Sequence, residues 1–337
     1  MSGGRDRAAA FREATPGAGV ELAYAGHRTF LKSDVADVGD VGDRDAAVLG
    51  VPYDGAVSNR PGARYGPAAV RDASAWWAYL SGYKGGLTNV RTGRQVAFSE
   101  LSLADCGDVP VFPMDRETTA ESIAAHVATV AASGTMPVTI GGDHYCTYPA
   151  VRGFAEGAEH DRVGLVQIDA HSDTVAESPV FGEEFHGSST HRVATAEFGD
   201  YGNVAQVGIR GYEAPGFFEF ADDVGLSVFT MNDVSERGIA PVVEDAVAAA
   251  AAGADAVYVT VDVDSVDPAF APGTGTPEPG GLTADQALAA VETVATHPAV
   301  GAADLMEVAP DYDPTGNTAR LGASLLVTLL ERAFAEA

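Results

Sequence analysis

Short runs of β-branched and apolar residues alternate along this chain with longer alanine-rich or amphipathic stretches. Apolar runs of roughly four to eight residues, closed by glycine, proline or aspartate, read as strands buried on both faces. They fall at 45–51, 96–103, 137–140, 163–168, 203–209, 226–229, 257–261 and 300–306. Helical patterns begin near Pro67, a favoured first-turn residue, and cover 118–132, 145–155, 213–220 and 240–252. Another starts at Thr283, where Gln286 three residues on completes a capping box, and a closing amphipathic helix covers 318–335. About eight strands alternating with helices predict an α/β fold with one parallel sheet covered on both faces. Residues 80–95 and 174–186 show no period and read as loops. The polar, mixed-charge residues 1–44 read as an N-terminal extension, and 45–337 as one domain without repeat or linker.

Composition narrows the picture. The chain carries 48 Asp and Glu against 20 Lys and Arg, a net charge of −28, with Lys32 and Lys84 its two lysines. Nothing in such a surface would neutralise phosphates, so a nucleic-acid partner is not expected. The acids are spread rather than blocked, which reads as adaptation to high salt, where repulsion is screened. Cys106 and Cys146 match no metal spacing and read as reduced thiols. The N-terminus lacks a signal-peptide core, and the alanine-rich run before Val257 is interrupted by Asp255. A soluble cytoplasmic protein without membrane contact is expected.

Candidate chemistry sits where three of the predicted strands end. After 257–261 come Asp262 and Asp264, two apart and so on one face of an extended chain. After 136–140 comes Gly-Gly-Asp143-His144, and after 163–168 comes Asp169-Ala-His171-Ser-Asp173. Open α/β sheets place their sites at these carboxyl ends. His144, Asp169, His171, Asp173, Asp262 and Asp264 offer two imidazoles and four carboxylates, a set suited to Mn²⁺ and related ions rather than a thiolate zinc site. Six such ligands are too many for one ordinary ion and suit two.

The stretches GGDH, DAHSD and DVDSVDPAFAPGTGTPEPGG resemble the three signatures of the ureohydrolase family: arginases, agmatinases and related guanidino-acid amidinohydrolases. The resemblance runs from about Gly50 to the C-terminus. It implies a three-layer α/β/α sandwich and a catalytic domain over 45–337, with two Mn²⁺ per subunit, Ni²⁺ being the alternative. It implies one ion on His144, Asp169, Asp173 and Asp262 and another on Asp169, His171, Asp262 and Asp264, with Asp173 also steering the attacking water. His186 matches the family's proton shuttle, and Glu307 its guanidinium-gripping acid. Asp143 and Asp267 would support the ligands. The loop after 45–51 resembles the substrate-side loop, so Arg60, Arg64 and Tyr65 become candidate substrate contacts. Trp76 and Trp77 read as core or interface, and the side of the site that His191 faces stays open. Trimers or hexamers are common in the family.

Val175 stands where related arginases carry an Asn that holds the amino-acid end, so arginine is disfavoured and agmatine is the first expectation. Guanidinobutyrate or guanidinopropionate, whose carboxylate Arg60 or Arg64 would meet, come next, then guanidine and formimidoylglutamate. A mononuclear deacylase and a metal-stabilised binding protein are the rivals from other classes.

Overall fold

The computed structural model describes residues 21–96, 98 and 101–334. In chain order, β1 (Asp34–Val35) and β2 (Ala46–Gly50) precede α1 (Gly66–Lys84). A hairpin of β3 (Leu87–Thr88) and β4 (Gln95–Val96) leads to β5 (Leu103–Asp108) and α2 (Arg116–Ala132). Then follow β6 (Met136–Ile140), α3 (Thr147–Gly157), β7 (Val163–Ile168), α4 (Ser189–Thr195), β8 (Val204–Ile209), α5 (Phe217–Val224) and β9 (Ser227–Thr230). The chain closes with α6 (Met231–Arg237), α7 (Ile239–Ala251), β10 (Ala256–Asp262), α8 (Ala284–Val294), β11 (Val300–Met306) and α9 (Asn317–Phe334).

Nine strands form one parallel sheet in the order β1-β5-β2-β6-β11-β10-β7-β8-β9. Their side chains alternate between two apolar layers. On one face Val138, Val166, Val259 and Leu305 pack with Val70 of α1, Val243 of α7, Val291 of α8 and Leu325 of α9. On the other, Leu49, Leu165, Tyr258 and Met306 pack with Ile123 of α2, Phe154 of α3 and Val193 of α4. The sheet is therefore the middle of three layers, as the alternation and the resemblance implied.

The ninth strand is β1, which lies inside the stretch read as an extension. Phe30 and Leu31 just before it are buried. The Phe30 amide donates to Asp105 Oδ2 at 2.7 Å, and Arg71 grips the same carboxylate through Nε at 2.8 Å and Nη2 at 2.9 Å. These pairs also explain a misplaced strand. The expected run 96–103 followed apolar content, whereas the strand is Leu103–Asp108, whose Asp105 and Asp108 both meet Arg71. Part of the expected run, residues 97, 99 and 100, lies outside the described residues, as does the last residue of the predicted 318–335 helix. The 80–95 loop is shorter than expected, because α1 continues to Lys84 and ends on Gly85 in the left-handed region, before the hairpin. α4 and α6 were not foreseen, although Thr230 and Asp233 form a capping box for α6.

Candidate active site

The four central strands, β6, β11, β10 and β7, are consecutive neighbours, and each delivers a candidate site residue at its carboxyl end. Adjacent strands lie about 4.8 Å apart, so residues far apart in sequence converge. The turn after β6 requires glycine on packing grounds. A Cβ at Gly142 would fall 1.5 Å from the Tyr53 carbonyl oxygen, and one at Gly141 1.8 Å from Met306 Sδ. His144 is thereby pressed against β10 and β11.

His144 Nδ1 faces Asp169 Oδ2 at 2.9 Å, Asp173 Oδ2 at 3.1 Å and Asp262 Oδ2 at 3.2 Å. It is nevertheless a buried nitrogen with no hydrogen-bond partner among the described residues. His171 Nδ1 faces Asp264 Oδ2 at 3.2 Å and Asp169 Oδ1 at 3.7 Å. Two clusters with metal-ligand spacing result, His144–Asp169–Asp173 and Asp169–His171–Asp264, with Asp169 common to both. Asp262 adjoins both: its Oδ1 accepts the Asp264 amide at 2.8 Å while Oδ2 faces His144. Burial, then the neighbouring charges of Asp264 and Asp169, drive the Asp262 carboxyl well above its usual range. Burial opposes charge on His144, yet Asp169, Asp173 and Asp262 outweigh it and hold that imidazole well above its ordinary pKa. The surroundings demand positive charge at two adjacent points, and the donor set of imidazole nitrogen and carboxylate oxygen fits two divalent ions of the Mn²⁺ type.

His186 and Glu307 meet beside these clusters. His186 Nδ1 lies 2.9 Å from Glu307 Oε1, which also accepts the His144 amide at 3.0 Å. Glu307 Oε2 is buried and has no partner among the described residues. A Cβ at Gly275 would stand 3.5 Å from that oxygen, so glycine keeps the space beside it open. His186 Nε2 lies 2.6 Å from Ser58 Oγ. Burial alone would lower the His186 pKa, but the Glu307 hydrogen bond and charge hold it up at about 9. Asp173 and Glu307 both adopt positive φ, +50° and +63°, an uncommon conformation for L-residues that Leu31, Lys32 and Glu159 share outside the site.

The other candidates fall further out. Arg60 donates to the carbonyls of Gly275 (3.2 Å) and Thr274 (3.0 Å) and lies over the Tyr312 ring. Arg64 pairs with Asp54, and the Tyr65 side chain is more than half exposed. Asp143 accepts the Ala56 amide at 2.7 Å and caps Tyr145; burial and the charge of Glu307 raise it to about 7. Asp267 pins its own loop through the amides of Ala269, Gly280 and Gly281. The His191 ring goes to Tyr201 Oη at 2.7 Å rather than to a ligand carboxylate. Trp77 lies under the Arg320 guanidinium at 3.6 Å, and the exposed Trp76 packs on Tyr79.

Sequence reasoning missed a row of polar residues beneath the ligands. Thr139, Asp304, Thr260, Gln167 and Gln206 are paired in register across β6, β11, β10, β7 and β8, and all are buried. Gln167 donates to Asp169 Oδ2 at 2.6 Å and accepts from Gln206 and Thr190. Thr260 Oγ1 lies 2.9 Å from His144 Nε2. Burial raises Asp304 to about 6, against the opposing influence of His144 and nearby hydroxyls. The available signal was a single polar residue inside each apolar run, as in VGLVQI, VYVTV and VGAADLM.

The model of a family described as the arginase family matches residues 44–331. The chain is 40% identical over 288 residues to the mitochondrial agmatinase of Gallus gallus, covering 85% of this chain and 80% of that one. It is 37% identical over 288 residues to the mitochondrial guanidino acid hydrolase of Homo sapiens, covering 85% and 77%. Among solved structures, proclavaminate amidino hydrolase from Streptomyces clavuligerus superposes with a TM-score of 0.80 at 33% identity, over 93% of this chain and 99% of that one.

Proposed function

The chain belongs to the arginase family and is a ureohydrolase, and from that premise we propose that it hydrolyses agmatine to putrescine and urea. The observation that carries guanidine hydrolysis is the unpartnered, buried Glu307 Oε2 beside two clusters that share Asp169. Delocalised charge makes a guanidinium carbon a poor electrophile, and neutral water attacks it too slowly. Two Mn²⁺ ions held by His144, Asp169, His171, Asp173, Asp262 and Asp264 would lower the pKa of water enough to supply the nucleophile near neutral pH.

The chain's own groups do the rest. Glu307 Oε2 accepts guanidinium N–H donors, a charge-assisted contact that fixes the carbon's position. Asp173, whose Oδ2 accepts the Ser189 hydroxyl at 3.1 Å, is held in place to orient water. The new C–O bond forms as a C–N π bond of the guanidinium opens, and the tetrahedral adduct then collapses by breaking the C–N bond to the carbon tail, whose departing nitrogen needs a proton. His186 lies beside it to supply that proton: Glu307 steadies the ring through Nδ1, while Nε2 lies against Ser58 Oγ at 2.6 Å and accepts the Ser58 amide at 3.1 Å.

Agmatine's far end is an ammonium, and Glu213 is a half-buried carboxylate beside the 171–173 loop to receive it. The net charge of −28 also favours a dication. A second reading rests on Arg60, which has no carboxylate partner among the described ion pairs and favours a guanidino acid such as guanidinobutyrate. The human relative's name points the same way. Assay of the Mn²⁺-loaded protein in molar KCl, against agmatine, arginine, guanidinobutyrate, guanidinopropionate and guanidine, decides between them by urea release. Turnover of guanidinobutyrate with agmatine inert would replace the first reading with the second, and silence with both Mn²⁺ and Ni²⁺ would end both.

The surface charge supports a high-salt setting, and no described helix is long and apolar enough to cross a membrane. Exposed Tyr212, Phe218 and Met114 give a trimer or hexamer apolar surface to bury.

A further inference from the structure

Asp304 touches none of the ligand carboxylates, yet it ends a chain of hydroxyls that begins on one metal ligand. Thr147 Oγ1 donates to Asp304 Oδ2 at 2.9 Å. Thr147 Oγ1 and Thr260 Oγ1 are 3.2 Å apart, and Thr260 Oγ1 is 2.9 Å from His144 Nε2. All four residues are buried, so water does not compete for these positions.

Each hydroxyl has one proton, and an ionised carboxylate only accepts. Thr147 therefore gives its proton to Asp304 and takes one from Thr260. Thr260 has none left to give and can only accept from the imidazole. His144 must then carry its proton on Nε2. In the neutral imidazole that binds metal, Nδ1 is then the bare nitrogen, and Nδ1 is the one that faces Asp169, Asp173 and Asp262. We propose that Asp304, acting through Thr147 and Thr260, sets the His144 tautomer that leaves Nδ1 free to bind metal. Asp304, Thr147 and Thr260 are thus positioning residues for one of the two metal sites. Reversing the chain at any link would put the proton on Nδ1 and close that site.

The inference rests on the dinuclear reading, and the test separates the two. Mn²⁺ is titrated into metal-free wild type, Thr147→Val, Thr147→Ser, Asp304→Ala and the Thr147→Val/Asp304→Ala double variant. Free Mn²⁺ is followed by electron paramagnetic resonance, and melting of the metal-free proteins checks the fold. Thr147→Val keeps shape and removes the link. It should weaken one of the two Mn²⁺ sites about 10–100-fold, the range typical of groups that orient metal-bound histidines. The other site and the KM at saturating metal should not change. Thr147→Ser restores the hydroxyl and should restore affinity. The double variant should be no weaker than the worse single variant, because both break one chain. Wild-type affinity in a folded Thr147→Val protein, or additive losses in the double variant, would overturn the inference. Wild type that binds no Mn²⁺ would instead overturn the dinuclear reading.

Discussion

At the scale of single residues, the proposed chemistry separates groups that would hold metal from groups that would move a proton. Asp262 lies between the two clusters, so Asp262→Asn should lose bound metal and activity together, read by metal analysis beside urea release. His186 should behave oppositely: His186→Asn keeps its metal while turnover falls by about 10²–10⁴-fold. The pH profile checks the assignment. His186 stands at about 9 in the folded protein, above the ordinary histidine value of about 6.5. It is therefore charged through the neutral range, and its proton is lost as pH rises through about 9. Activity should fall along that alkaline limb, and a wild-type profile flat to pH 10 would remove His186 as the donor. Asp262 was legible because it sits in a short signature at a strand end; His186, in a loop well past Asp173, was legible only through the family resemblance. Arg60 was legible as a candidate too, but its grip on the 274–275 carbonyls was not, since those partners lie more than two hundred residues away.

At the scale of elements, local chemistry predicted well where local chemistry decides. The Thr283–Gln286 box was readable from four residues, and both reciprocal hydrogen bonds are present. Thr283→Ala should destabilise by about 1 kcal/mol, measured as a lowered urea midpoint with unchanged slope. The misplaced fifth strand shows the opposite case. Its Asp105 and Asp108 look like loop residues until Arg71 of α1 is brought over them. Asp105→Ala leaves that buried guanidinium without its bidentate partner and should cost about 3–5 kcal/mol, far more than the cap. A loss below 1 kcal/mol would mean that the ion pair does not hold the N-terminal segment to the sheet. The buried polar row escaped notice for a related reason. Each member is one residue in an apolar run, and only strand pairing aligns the five.

At the scale of the whole molecule, net charge is the dominant non-local term. Self-repulsion from a charge of −28 acts over about 10 Å in 0.1 M salt and about 3 Å in 1 M salt. The melting temperature should therefore rise between 0.1 and 2 M KCl, and a flat or falling curve would end the high-salt reading.

The order of the sheet also says how the molecule must be made. The innermost strands, β10 and β11, are the last strands in the chain, and they join β7 to β6. Until residue 306 has been synthesised, the native pairings can form only two separate halves, β1-β5-β2-β6 and β7-β8-β9, the second extended by β10 once residue 262 is made. His144 belongs to one half and Asp169, His171 and Asp173 to the other. Each half ends in an apolar strand with an unpaired edge, the kind that recruits other chains. At roughly 5–20 residues per second on the ribosome, those edges stay open for on the order of ten seconds. A nascent chain therefore exposes its adhesive edges at the centre of the sheet rather than at its rim.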